Sequence, residues 1–330
     1  PPYSLVGSDM CIRDSPQVVR RAQALHAREP FDLVVAATGV MAAYALALPG
    51  VVRVLEEHNS LTRMLWDRYR AQTSALQRLR CWASWRKAAL YEARLFRRFD
   101  LVTMVSELDA AGGRGLLPAR SPPVEVFANG VDCDAFRPGL AGPQPGRLVF
   151  GGALSYQANY EAVEFFLGAV LPQVRARCPG AHLRVTGSTT GADLDGLPRG
   201  GAVTLTGFLD DVRPEVAAAW AAVVPILSGG GTRLKVLEAM ALGTPVVSTP
   251  KGAEGLDVSP EPDSLLAEGA AGFAGAPVEV LEDPALRRRL AANARRLVER
   301  RYAWGAIGRR YRERLEVLVE AAQDREQREA

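Results

Sequence analysis

Lysine is almost missing from this chain. Of 40 basic side chains only three are lysine: Lys87, Lys235 and Lys251. Two of them, Lys235 and Lys251, flank one strand–helix–strand unit, a place where a compact ammonium serves better than a planar guanidinium, with chance placement as the alternative. Histidine is as scarce, and His26, His58 and His182 lie far apart. The four cysteines (Cys11, Cys81, Cys133 and Cys178) follow no metal or disulfide spacing, which disfavours a zinc enzyme and fits a reducing compartment. No run approaches the roughly 18 uncharged apolar residues of a membrane-spanning helix. The longest, residues 34–48, is interrupted by Thr38, Gly39 and Tyr44. Forty basic against 37 acidic residues leave a net charge of +3, too little to imply nucleic acid as a partner. No G-x-G-x-x-G follows the first expected strand, which argues against a Rossmann oxidoreductase.

What is present suits a globular protein. With 330 residues, 48% hydrophobic and 23% charged, the chain has the length and composition for two domains. Residues 4–15, SLVGSDMCIRDS, show no periodicity and lack the build of a signal peptide. The run from Met10 to Ser15 resembles a translated transposon-end sequencing adapter, with Asp9 departing from the expected frame. On that reading residues 1–15 are non-native and the chain proper begins near Pro16, in mid-domain; a genuine irregular N-terminus is the alternative.

From Pro16 short apolar runs alternate with amphipathic segments, the rhythm of a βαβ protein. Strands are expected over residues 32–36, 51–55, 101–105 and 124–127. Helices are expected over 18–28 and, as one long tract, over 62–99. The end of that tract sets Ala88, Tyr91, Leu95 and Phe99 on one face. Ser106 and Asp109 have the S-x-x-D form of a helix start. Residues 138–146, rich in proline and glycine, read as a linker. Beyond it strands are expected over 148–150, 182–186, 203–206, 222–226 and 245–248. Helices are expected over 159–177, 214–220, 231–242, 285–301 and 305–326. The expected organisation is thus an incomplete N-terminal α/β domain (16–137), a linker, a C-terminal α/β domain (147–304), and a last helix (305–330) able to cross back to the first domain.

The most informative stretch is residues 225–249, PILSGGGTRLKVLEAMALGTPVVST. A strand, three glycines and a helix succeed one another, and open parallel sheets bind ligands at the carboxyl ends of strands. Gly229, Gly230 and Gly231 would let a phosphate approach unpaired helix amides. With the helix opening at Gly231, Lys235 and Glu238 share a face with it, so Lys235 can neutralise a diphosphate while Glu238 accepts a ribose or sugar hydroxyl. A flexible turn with a solvated Lys–Glu pair is the competing reading. A second feature runs from Arg63 to Arg98. It holds ten basic residues against Asp67 and Glu92, with Trp66, Trp82 and Trp85. That composition suits an anionic membrane surface; the alternative is a solvated helical face whose tryptophans are core.

The runs GGGTRLKVLEAMALGTPVVSTPKGAEGL, FANGVDCDAFRP, GGALSYQANYEAVEFFLGAVLPQVRARCPGAHLRVTG, EEHNS and MVSELD together resemble glycosyltransferase family 4. The resemblance spans residues 33–304 and implies a GT-B fold, two facing Rossmann-like domains with a cleft between them. It further implies retaining transfer of a sugar from a nucleotide-sugar donor to a saccharide or lipid-linked acceptor, in cell-surface polysaccharide or glycolipid assembly, as in a bacterial subgroup. No metal or cofactor is implied. The expected location is cytoplasmic, peripheral at the inner face of the membrane. By the same resemblance His58 would stand near the transferred sugar, a satisfied polar residue in a turn being the equal alternative, with Arg233 and Lys235 completing the catalytic set. Gly151, Gly152, Gly207, Phe208, Leu209, Gly229, Gly230, Gly231, Thr232, Glu238 and Glu254 would hold the donor, although Gly151 and Gly152 also suit a plain strand-to-helix turn, Gly207, Phe208 and Leu209 read also as ordinary loop packing, and Glu254 reads equally as a helix cap. The sequence departs from the family at Gly230, where a glutamate is common, and at Ala153 and Ala158, where the family often has diphosphate-binding cations. Arg233 and Lys235 can restore that charge from the opposite wall. A non-catalytic nucleotide-sugar-binding or scaffold protein of this fold, or a GT-B epimerase, remains as alternative.

Overall fold

The computed structural model describes residues 15–198, 200–260 and 262–329, so the adapter-like segment lies outside the described residues except for Ser15. Contacts divide the chain into two compact units. One comprises residues 1–128 with 309–330, the other residues 129–308.

The first unit runs α1 (Pro16–Arg28), β1 (Leu33–Ala37), α2 (Ala42–Leu46), β2 (Val52–Glu57), α3 (Leu61–Ala71), α4 (Ala75–Phe96), β3 (Leu101–Met104), α5 (Glu107–Gly115) and β4 (Val124–Val126). Its sheet has the order β1-β2-β3-β4 and every pairing is parallel. A parallel sheet is covered by helices on both faces, so its inner strands read as unbroken apolar runs, and all four residues of β3 are buried. The core gathers Leu55, Phe96, Phe99, Val102 and Met104.

The expected tract over 62–99 is two helices. Gln72 and Ser74 take extended backbone angles and end one helix before the next begins. The expected apolar face also needs correction, because Tyr91 is 53% exposed while Ala88, Leu95 and Phe99 are buried. Glu92 takes the inward position in its place. Its carboxylate accepts from the amides of Leu61 at 2.9 Å and Thr62 at 3.2 Å and from the Thr62 hydroxyl. It thereby satisfies the unpaired donors at the start of α3. Ser106 caps α5 as its S-x-x-D form anticipates, its hydroxyl accepting from the Asp109 amide at 3.1 Å.

In the second unit β5 (Arg147–Gly151) leads through α6 (Gln157–Phe165), a π-helical turn (Phe166–Val170) and α7 (Leu171–Arg177) to β6 (His182–Thr186) and β7 (Val203–Gly207). Next come α8 (Arg213–Ala217), β8 (Ala221–Val224), α9 (Leu234–Ala241), β9 (Val246–Ser248) and β10 (Leu265–Leu266). Helices α10 (Gly269–Glu282) and α11 (Pro284–Arg301) follow, and then α12 (Trp304–Glu329), of which only the start belongs to this unit. The sheet order is β10-β9-β8-β5-β6-β7, again parallel throughout. The chain therefore builds outward from β5 in one direction and from β8 in the other. β5 and β8 lie side by side at the point where the winding reverses.

Helix α10 has no counterpart in the sequence reading. Gly272, Gly275 and Pro277 all oppose helix, yet Phe273 is fully buried edge-on to Phe166 at 6.2 Å, so packing overrides propensity. The proline- and glycine-rich residues 138–146 belong to the second unit, where the Gln144 amide donates to the Ala218 carbonyl at 2.8 Å. The NGVD run serves the fold. Val131 exchanges backbone hydrogen bonds with Tyr302 and Trp304, and a Cβ on Gly130 would stand 2.7 Å from the Tyr302 carbonyl oxygen. From Arg309 onward α12 belongs to the first unit, where Arg314 pairs with Glu125 at 2.7 Å and Tyr311 packs edge-on against Phe127 at 4.9 Å.

Candidate functional site

In an open parallel sheet the carboxyl ends of the two strands at the winding reversal leave a crevice, because the loops that follow them depart to opposite sides. In the second unit that crevice is a cavity of about 290 Å³, lined by Gly151 and Gly152 at the end of β5, Thr186 and Gly187 at the end of β6, Val224 of β8, and Lys235 and Glu238 of α9. Phe208, Leu209, Val212 and Val216 supply an apolar side. Phe208 is 75% exposed, a large apolar ring presented to solvent at the mouth of a site.

The glycines are there because the loops touch. Gly152 has φ +149°, and a Cβ on it would lie 2.6 Å from Asn159 Nδ2 and 2.8 Å from Lys235 Nζ. A Cβ on Gly187 would lie 2.6–2.8 Å from the backbone of Gly152 and Ala153. Two turns meet at that point with no room for side chains, and the Gly152 and Gly187 amides donate to the carbonyls of Thr186 at 2.8 Å and Gly207 at 3.0 Å.

Lys235 is fixed from several directions. Its ammonium donates to Asn159 Oδ1 at 2.8 Å and sits 4.2 Å from the centre of the Phe150 ring. Burial, with Arg233 nearby adding to it and Glu238 opposing it, pulls its pKa down to about 7. The amine is thus held partly neutral at the floor of a crevice, where a bound anion would recharge it. Burial pushes the Glu238 carboxyl up while the charge of Lys235 draws it back. Asn159 immediately follows Ala158, so Lys235 reaches across from α9 to the first turn of α6.

The glycine loop differs from the sequence expectation. Gly229 and Gly231 have φ +91° and +84°, left-handed values that no helix tolerates, so α9 begins at Leu234 and not at Gly231. Gly231 therefore does not share a helix face with Lys235 and Glu238. Arg233 is buried, and its guanidinium donates to the carbonyls of Gly230 at 2.6 Å and Ser228 at 3.2 Å. It clamps its own loop. A Cβ on Gly229 would stand 2.9 Å from the Tyr156 hydroxyl and 3.3 Å from the Ala158 methyl, so the loop folds against the start of α6. The Thr232 hydroxyl is buried without a hydrogen-bond partner.

Of the expected residues, Gly151, Gly152, Phe208, Leu209, Lys235 and Glu238 converge on the cavity. Gly207 ends β7 just before Phe208 and Leu209, and Gly229, Gly230, Gly231, Thr232 and Arg233 stand in the loop that leads into α9. Glu254 caps no helix; it lies in an irregular segment after β9 and pairs with Lys251. His58 follows β2 in the first unit and is exposed. Asn159, Gly187 and Phe150 escaped the sequence reading, because nothing in a linear pattern says which side chain meets an ammonium from another helix.

A titratable carboxyl also escaped it. Glu57, the last residue of β2, is packed under the Gly39 turn, where a Cβ would lie 2.9 Å from its Oε1. Burial, reinforced by the charge of Glu92 and offset by the Gly39 amide, pushes its pKa up to about 7. The ordinary value is 4.5, so the folded state holds this proton more tightly than the unfolded chain, and its ionisation opposes folding above about pH 7. Glu57→Gln is expected to be more stable than the wild type at pH 8 by at most ~3 kcal/mol. The gain should fade as pH falls through the window from about 7 to 4.5, as followed by urea unfolding at a series of pH values. A variant less stable than the wild type at pH 8 would refute the burial argument.

The fold and the crevice define a class: a protein of two parallel-sheet Rossmann-like domains matching the GT-B architecture. It resembles a sucrose-phosphate synthase from Thermosynechococcus elongatus at TM-score 0.69, with 22% identity over 92% of this chain and 78% of that one. The Anabaena HepE protein in complex with UDP matches at TM-score 0.68 and 16% identity, over 92% and 82% of the two chains. A glycosyltransferase from Rickettsia africae matches at TM-score 0.68 and 11% identity, over 93% and 83%. No curated protein matches by sequence. Residues 2–135 match the family described as Glycosyltransferase Family 4, and residues 145–283 match Glycosyl transferases group 1. The chain is a glycosyltransferase of the GT-B type.

Proposed function

We propose that the chain is a retaining hexosyltransferase that takes a sugar from a nucleoside-diphosphate sugar and delivers it to a saccharide or lipid-linked acceptor in cell-surface polysaccharide or glycolipid assembly. It works on the cytoplasmic side, peripheral to the membrane, and needs no metal or cofactor. The observation that carries the donor reading is Lys235, held beside the Gly152 turn at the floor of the crevice. The diphosphate lies against the Gly151–Gly152 turn, and Lys235 supplies the cation that the family places at Ala158. Arg233 keeps the Gly229–Gly230–Gly231–Thr232 loop in shape and adds its charge. The base rests by Gly207, Phe208 and Leu209. Glu238 accepts a ribose or sugar hydroxyl and Glu254 lies by the sugar, and the family resemblance gives His58 a role toward the transferred sugar. Catalysis then consists of stabilising charge on the departing diphosphate with preorganised donors. The HepE structures with UDP and with UDP-glucose support a nucleotide-sugar donor.

The test is calorimetric titration with UDP and UDP-glucose, followed by NMR of the product's anomeric configuration after incubation with saccharide acceptors. Saturable binding and a product retaining the donor's configuration are expected. An inverted product would sink the retaining assignment, and absence of nucleotide binding would sink the donor site. One observation favours a second reading: Gly230, Ala153 and Ala158 stand where the family often has charged residues. Tight donor binding without turnover would make the chain a nucleotide-sugar-binding protein.

A further inference from the structure

Helix α4 is apolar on two sides. Its inner side, Ala88, Ala89, Glu92, Leu95 and Phe96, is buried in the first unit. On the other side Leu76, Leu79, Trp82 and Leu90 fall within an arc of about 120° at helical periodicity, and all four are exposed, Leu79 at 61%. Arg80, Arg86, Lys87 and Arg94 stand exposed within and beside that stripe. The helix has one carboxylate, Glu92, which is turned inward to cap α3. The outer surface of α4 therefore carries no negative charge, and the neighbouring α3 adds exposed Met64 and Trp66, the latter packed on Trp85 at 4.9 Å.

We propose that this α3–α4 hairpin docks on an anionic lipid bilayer, lying in the interface plane with Leu76, Leu79, Trp82 and Leu90 among the acyl chains and the basic side chains on the headgroups. The proposal rests on the peripheral reading above and names the element responsible. Leucine and tryptophan on one stripe, flanked by long cations that keep their charge in water, match a headgroup–acyl boundary. A protein partner would instead favour a stripe whose centre is poor in charge. Each cation near an anionic surface contributes roughly fivefold in affinity, so the charge and the apolar stripe contribute separately.

The experiment is co-sedimentation of the whole chain with phosphatidylcholine vesicles, with and without phosphatidylglycerol. Binding is expected with phosphatidylglycerol, weakening as salt rises, with a blue shift of tryptophan emission. Replacing Leu76, Leu79 and Trp82 together by serine should lower binding at least tenfold and remove that shift. Arg80→Glu with Lys87→Glu should lower binding by a similar factor and flatten its salt dependence. Circular dichroism and UDP titration serve as controls for the fold, since neither set touches the crevice. Equal binding to both vesicle types, or triple-serine binding equal to the wild type, would overturn the proposal. So would a concentration-dependent dimer that the serine variant abolishes. A wild-type chain that transfers to a soluble acceptor but binds no phosphatidylglycerol vesicles sinks the docking alone; vesicle binding without donor binding sinks only the transfer reading.

Discussion

Lys235→Met is expected to lose UDP affinity by about 100-fold or more, equivalent to about 3 kcal/mol, while folding at least as stably as the wild type near pH 8. Both halves follow from one geometry. The ammonium sits against Asn159 and the Phe150 ring with a pKa near 7, against an ordinary value of 10.5. Folding therefore strips a proton from this amine between pH 7 and 10.5, and the folded state gains nothing from a charge that burial opposes. Methionine fills a similar volume without that cost. A diphosphate reverses the balance, because two negative charges beside the amine favour its charged form. Wild-type binding should therefore take up close to one proton at pH 8–9. Affinity should fall by up to about tenfold per pH unit above 7 and flatten below it. Calorimetry in buffers of different ionisation enthalpy measures the uptake directly. Lys235→Arg should not rescue, since the planar guanidinium does not fit between Asn159, Phe150 and Gly152. Pure pH-independence of UDP binding between pH 7 and 9 would show that Lys235 does not face the phosphates.

Gly152→Ala should be nearly as damaging for binding, by a different route. The added methyl would meet Asn159 and Lys235 at 2.6 and 2.8 Å, and the backbone at φ +149° is strained for any L-residue. Asn159 and the lysine head can give way, so the expected loss of stability is modest, about 1–3 kcal/mol. The displaced ammonium, however, leaves the diphosphate without its cation. Gly187→Ala meets the unyielding backbone of Gly152 and Ala153 and should lose more stability than Gly152→Ala. Gly151→Ala, whose methyl would stand 3.6 Å from the Thr186 hydroxyl, should fold normally. Thermal unfolding of the three variants, each with and without UDP, gives the ranking. Gly152→Ala binding UDP like the wild type would remove the turn from the donor site.

The alternation of apolar runs was enough to anticipate strands and two α/β units, because a parallel sheet covered on both faces demands apolar strands separated by helices. The stretch over residues 225–249 placed Lys235 and Glu238 on one helix, as the structure has them. It misplaced the start of that helix by three residues, since a linear pattern does not reveal that Gly229 and Gly231 adopt left-handed backbone. Tyr91 and Glu92 exchanged roles for a similar reason. Periodicity assigns the tyrosine inward, but the start of α3 needs an acceptor, and a buried carboxylate taking three hydrogen bonds satisfies that need. Helix α10 was invisible because its glycines and proline mask a buried face.

Local chemistry along the chain settles the alternating architecture, the glycine-rich turns and the near absence of lysine outside a few places, for these depend on backbone freedom and side-chain polarity read residue by residue. Folding in three dimensions settles which groups meet: Lys235 against Asn159 and Phe150, Arg233 turned back on its own loop, and Leu76, Leu79 and Trp82 left outward on α4. Those meetings join residues as many as 85 positions apart, and such distances are closed by the packing of sheet and helix, which no short-range preference encodes.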